Sequence, residues 1–76
     1  MDNLKTVILY TREGCHLCHQ AQALLERHGL RPQLVDIDDD PRLQREYGTI
    51  IPVVSIDGVV RFRGQVNEVL LKRLIQ

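Results

Sequence analysis

Four consecutive apolar residues, Val7-Ile8-Leu9-Tyr10, constrain the fold of this chain more than any other feature. A strand with one wet face alternates apolar and polar residues, whereas an unbroken run suits a central strand covered on both faces. The chain has 76 residues, enough for one domain, so we expect residues 1–76 to form a single unit. The strand is expected over Lys5–Tyr10, and the remaining residues must supply its neighbours and its cover.

The periodicity then changes. Thr11 to Gly14 reads as a loop, with Gly14 allowing a sharp turn before Cys15. From His16 to His28, Leu17, Ala21, Leu24, Leu25 and His28 fall on one helical stripe. Gly29 and Pro32 stop that helix. Gln33–Asp38 reads as a short strand. Asp40-Pro41 reads as N-cap and first residue of a short helix through Tyr47, ended by Gly48. Val53–Ile56 and Val59–Phe62 flank Asp57-Gly58, the strongest short-range signal for a hairpin. Gln65–Ile75 closes the chain as a helix with Val66, Val69, Leu70 and Leu74 on its buried stripe. The order is β-α-β-α-β-β-α. The strands separated by helices are expected to pair in parallel, and the hairpin adds an antiparallel edge. The fold class is α/β, a four-stranded mixed sheet covered by helices. Tyr10 and Phe62 are expected in the core. Arg61 and Arg63 alternate on an edge strand, where charge guards against edge-to-edge pairing.

Both cysteines, Cys15 and Cys18, lie where the first strand hands over to the first helix. A disulfide closing so short a loop adds little stability, so chemistry explains the pair better. At a helix start Cys15 faces free backbone N–H groups and the positive end of the helix dipole, both of which favour a thiolate. Arg12 and a protonated His16 add to this and Glu13 opposes it. Cys15 is expected to attack and Cys18, more buried, to resolve the mixed disulfide. His16 either tunes the thiolate or is solvated.

Other chemistries fit the same residues less well. Cys15-His16-Leu17-Cys18-His19 also matches the haem-attachment string, but Met1 is the only methionine and is a poor sixth ligand. Zinc held by Cys15, Cys18, His19 and His28 is disfavoured because four ligands crowded on one helix cannot converge tetrahedrally. An iron–sulfur cluster bridging two chains through Cys15 stays open as the alternative. His19 and His28 read as a surface residue and a helix-end group, and the Asp36–Asp40 run as a strand end plus helix cap. No resident metal or tightly bound cofactor is expected.

The chain is 43% apolar and 26% charged, with a formal net charge of zero. That balance lacks the clustered positive charge of a nucleic-acid surface, and no apolar run is long enough to span a membrane. Met1-Asp2-Asn3-Leu4-Lys5 shows no basic segment leading into an apolar one, so the expected compartment is the reducing cytoplasm.

Leu9-Tyr10-Thr11-Arg12-Glu13-Gly14-Cys15-His16-Leu17-Cys18, then Thr49-Ile50-Ile51-Pro52-Val53-Val54, then Ile56-Asp57-Gly58, together resemble the glutaredoxin-like branch of the thioredoxin-fold superfamily. The likeness is to small bacterial members with a Cys-His-Leu-Cys centre. It implies a thioredoxin-like fold and a dithiol–disulfide oxidoreductase acting on protein or small-molecule disulfides, with a part in cell redox homeostasis and electron transport. It also implies that Pro52 is cis and lies beside the cysteines, that the backbone of Ile51 pairs with substrate, and that Arg12 helps bind a glutathione carboxylate. Of the family's Gly-Gly-x-Asp segment only Gly64 is retained, in Arg63-Gly64-Gln65-Val66-Asn67, and the acidic partner for the glutathione amine is missing. The tyrosine of the usual Cys-Pro-Tyr-Cys is replaced as well. The electron source therefore stays open between glutathione and a donor resembling thioredoxin reductase. A monomer is expected.

Overall fold

The computed structural model describes residues 5–76; residues 1–4, which bear on the expected absence of an export signal and on Met1 as a haem ligand, lie outside them. The elements are β1 (Val7–Thr11), α1 (His16–Arg27), β2 (Gln33–Asp36), α2 (Pro41–Tyr47), β3 (Val53–Ile56), β4 (Val59–Arg63) and α3 (Glu68–Ile75). Their sequence is the expected β-α-β-α-β-β-α. The sheet runs β2-β1-β3-β4, which places the apolar run of β1 inside it. Val7 and Leu9 are almost wholly buried. Tyr10 points to the opposite face, as alternation along a strand requires, and its ring lies 4.9 Å from that of Tyr47 at the end of α2. Tyr10 is half-buried rather than core, whereas Phe62 is buried as expected.

β1 and β2 are parallel, with Thr11 opposite Asp36. β3 departs from expectation: it runs antiparallel to β1, Tyr10 opposite Val53. The reason is length. A helix of seven residues such as α2 advances the chain only ~10 Å, short of the ~17 Å of a five-residue strand. The chain therefore re-enters the sheet at the end where β2 left it. The turn after β2 contributes to this. Asp36 ends the strand two residues early, and its carboxylate accepts from the Asp38 N–H at 2.8 Å, folding Ile37–Asp39 into a 3-10 turn that buries Ile37. Asp40 then caps α2, accepting from the Arg42 N–H, with Pro41 at the first position. The hairpin forms as read: Asp57 and Gly58 both have positive φ, at 53° and 86°, the geometry of a two-residue turn whose twist matches its strands. β4 is an edge strand. Its pairing with β3 shifts register beside Arg61, a bulge of the kind that disrupts edges.

α1 and α3 cover one face of the sheet. The buried stripe of α1 is Cys18, Ala21 and Leu25, with Leu24 partly buried, while Leu17 is half exposed instead of leading the stripe. α3 begins three residues later than expected. Asn67 caps it by accepting from the Leu70 N–H at 3.0 Å, and Val66 is buried in the lead-in. Leu71 is the buried residue of this helix, backed by Leu74 and Ile75; Val69 and Leu70 face outward. Both stripes satisfy three- and four-residue spacing, and the later start selects this one. These side chains close one core with Val7, Leu9, Val54, Ile56 and Phe62. Among the described residues no helix is long and apolar enough to cross a membrane.

His28, the C-cap of α1, shares a hydrogen bond with Glu68 at 2.8 Å, and Arg27 lies 3.6 Å from the same carboxylate. These contacts tie the end of α1 to the start of α3. The His28 hydrogen bond holds the Glu68 carboxyl below the usual glutamate range, with Arg27 assisting. A lowered folded-state value adds stability at pH above the ordinary range. That stability is lost as pH falls through the lowered value. Glu68→Gln is accordingly expected to flatten the acid limb of the stability curve, read as a smaller drop in urea midpoint between neutral and acid pH than in the native chain. An equal drop in both would show that the pair contributes nothing.

Candidate functional site

The C-terminal end of β1 and the N-terminal end of β3 meet at one end of the sheet, because Tyr10 pairs with Val53. Gly14, at φ 81°, reverses the chain there, and the Cys15 N–H donates to the Arg12 carbonyl at 3.2 Å to close the turn. Cys15 is the N-cap of α1. Its carbonyl accepts from the His19 N–H at 3.2 Å, and its Sγ accepts from the Cys18 N–H at 3.1 Å, the role an oxygen plays in an ordinary cap. Cys15 and Cys18 are joined by a disulfide, with their Cα atoms 5.2 Å apart. Cys15 is half-buried, whereas Cys18 is 1% exposed, so solvent reaches the pair from the Cys15 side. His16 and His19 are exposed.

The remaining expected site residues come to this same end by register. The Ile51–Pro52 peptide bond is cis, Pro52 is buried, and Ile51 is half-buried. Pro52 immediately precedes Val53, which pairs with both Tyr10 and Arg63. Gly64, at φ 82°, donates its N–H to the Pro52 carbonyl at 2.8 Å, binding the exit of β4 to the entrance of β3. A cavity of about 300 Å³ runs between α1 and the lead-in to α3. Its lining includes Leu17, Leu24, Arg27, Gly64, Val66 and Glu68.

Arg12 is also at this end, but its guanidinium is engaged. Nη2 donates to Asp38 Oδ1 at 2.7 Å, Nε donates to Asp38 Oδ2 at 3.2 Å, and Nη1 donates to the Gly48 carbonyl at 3.3 Å. The hydrogen bond from Arg12 holds the Asp38 carboxyl below the usual aspartate range. Sequence reasoning misses Asp38. Nothing local marks a partner 26 residues away, and the acidic run around it is accounted for by two caps, Asp36 and Asp40. The one hint in the sequence is that these two caps leave Asp38 without a local task.

A helix capped by a cysteine pair and a cis proline at the same end of a β2-β1-β3-β4 sheet lead to the comparison with known proteins. Residues 6–76 match the family described as glutaredoxin-like domain (DUF836). The chain belongs to the glutaredoxin-like family. Glutaredoxin-C13 of Arabidopsis thaliana is 30% identical over 78 residues, spanning 92% of this chain and 74% of that protein. The solution structure of protein Ne2328 from Nitrosomonas europaea superposes with a TM-score of 0.87 at 21% identity, over 100% of this chain and 96% of that one. The crystal structure of a glutaredoxin from Archaeoglobus fulgidus gives 0.67 at 22% identity, over 100% and 97%. The fold of this glutaredoxin-like chain is therefore thioredoxin-like, with a four-stranded mixed sheet and three helices. Cys15 and Cys18 form its Cys-x-x-Cys centre, which fits the general class of thiol–disulfide oxidoreductases.

Proposed function

We propose that this glutaredoxin-like chain is an enzyme that reduces disulfides through Cys15 and Cys18. The observation that carries the reading is the division of labour within the pair. Cys15 is half-buried and its Sγ accepts a backbone N–H at the helix start, while Cys18 is almost wholly buried. In the reduced protein that N–H, with the helix dipole, stabilises a thiolate on Cys15. The thiolate attacks one sulfur of the target disulfide. The target's own S–S bond breaks, the distal sulfur leaves as a thiolate, and a mixed disulfide forms on Cys15. Cys18 then gives up its proton, and its thiolate attacks Cys15 Sγ. The second target thiolate departs, leaving the Cys15–Cys18 disulfide. Two electrons have passed from the cysteine pair to the target, and an external thiol donor returns them. Ile51, ahead of Pro52, supports the reading because it offers backbone at the same sheet end against which an extended substrate segment can pair.

The mechanism is tested with Cys18→Ser, which keeps the attacking thiol and removes the resolving one. Reduced variant mixed with an oxidised protein substrate is expected to accumulate a covalent adduct at Cys15, seen as one added mass and released by dithiothreitol. An absence of adduct, with Cys15 demonstrably reduced, would remove the proposed first step.

A further inference from the structure

Arg12 immediately precedes the turn that presents Cys15, and its carbonyl holds the Cys15 N–H. A guanidinium so placed is a natural receptor for a carboxylate on any small disulfide that docks at Cys15. Here three of its five N–H donors are already engaged. Asp38 engages it through two hydrogen bonds at 2.7 and 3.2 Å, one to each carboxylate oxygen, and the Gly48 carbonyl takes a third donor at 3.3 Å. Asp38 is itself held in place, with its N–H bound by Asp36 and its Oδ1 reached by Gln44 Nε2 at 3.3 Å. A substrate carboxylate that approaches Arg12 competes with Asp38 for the guanidinium and meets the Asp38 charge while doing so. An uncharged peptide disulfide meets no such competition.

We infer that Asp38 is a specificity-determining residue, a resident carboxylate that occupies Arg12 and so disfavours carboxylate-bearing small disulfides relative to peptide disulfides. As a statement about substrates it rests on the disulfide-reductase reading, but the binding competition it describes does not need turnover. Both partners are partly exposed, at 36% and 45% for the side chains, so the effect is moderate.

The binding test uses the oxidised chain, in which both cysteines are engaged, and S-methylglutathione, a thioether that cannot exchange. Its dissociation constant is measured from the amide shifts of Arg12 to Cys15 in the native chain and in Asp38→Asn, with the diethyl ester as the carboxylate-free control. Asp38→Asn is expected to tighten the acid about threefold to fivefold and leave the ester unchanged. Asp38→Ser, too short to keep the guanidinium occupied, is titrated alongside. Unchanged affinity for the acid in both variants, or equal tightening of both ligands, overturns the proposal. In turnover, the same factor is expected as a fall in KM for oxidised glutathione but not for bis(2-hydroxyethyl) disulfide, with kcat steady. A parallel change in kcat for both substrates would mark Asp38 as a support of the fold and overturn the proposal. If neither chain reduces either disulfide, the reductase reading fails, and the titration still decides the role of Asp38.

Discussion

Cys15→Ser is expected to bring disulfide reduction down to the uncatalysed rate. A serine in this position retains the cap: its oxygen can accept the Cys18 N–H that Cys15 Sγ accepts at 3.1 Å. The helix start therefore survives, and the loss is chemical. A hydroxyl is scarcely ionised at neutral pH, and exchange requires an anionic sulfur. The measurement is reduction of a protein disulfide with dithiothreitol as donor, corrected for the donor's own reaction and accompanied by a thermal melt. Activity close to that of the native chain would end the case for Cys15 as the attacking group. Cys18→Ser is a different experiment, because the buried partner acts only after the mixed disulfide has formed.

The second large effect concerns stability. Leu25 is fully buried on α1 and belongs to the same core as Leu9, Val54 and Leu71. Leu25→Ala is expected to cost about 2–5 kcal/mol, combining lost transfer energy with a residual cavity. Domains of this size have only about 4–11 kcal/mol in total, so the loss is a large share. Each kcal/mol moves the melting midpoint about 4–8 °C in a chain of this length, so a shift of about 8 °C or more is expected. Leu17→Ala is the control. Leu17 is 50% exposed, so its truncation belongs with surface changes of about 0.5 kcal/mol or less. Similar losses from both variants would contradict the phase of α1, which buries Leu25 and leaves Leu17 half exposed.

That pair of leucines also shows where the sequence is legible and where it is not. Val7–Tyr10, the cysteine pair at a helix start, Asp40-Pro41 and Asp57-Gly58 are legible because each signal is local: a run, a cap or a turn fixed by its own residues. The phase of a helix in an apolar-rich stretch is less so. Around α3 two stripes fit the spacing, and the cap at Asn67 decides between them. The direction of β3 runs against the parallel expectation because it is set by the short reach of α2 rather than by anything in Val53–Ile56. Register brings residues singled out by motif, Arg12, Cys15, Cys18, Ile51, Pro52 and Gly64, to one end of the sheet. The grip of Asp38 on Arg12 is not legible, since a contact across 26 residues leaves no periodic trace.

The register that gathers the candidate site also defines an opposite pole. Ile8 pairs with Gln33 and Val7 with Ile56, so the connection from α1 to β2 and the Asp57-Gly58 turn both lie at the end of the sheet away from the cysteines. The turn is closed by its own bonds to Thr6, the Asp57 N–H donating to the Thr6 carbonyl and the Thr6 N–H to the Asp57 carboxylate. The other connection contains exposed Gly29 and Arg31 and can be lengthened for about 0.6 kcal/mol per doubling. A chain anchored to a surface or fused to a carrier through that connection would hold its disulfide outward, towards solution, in a known orientation.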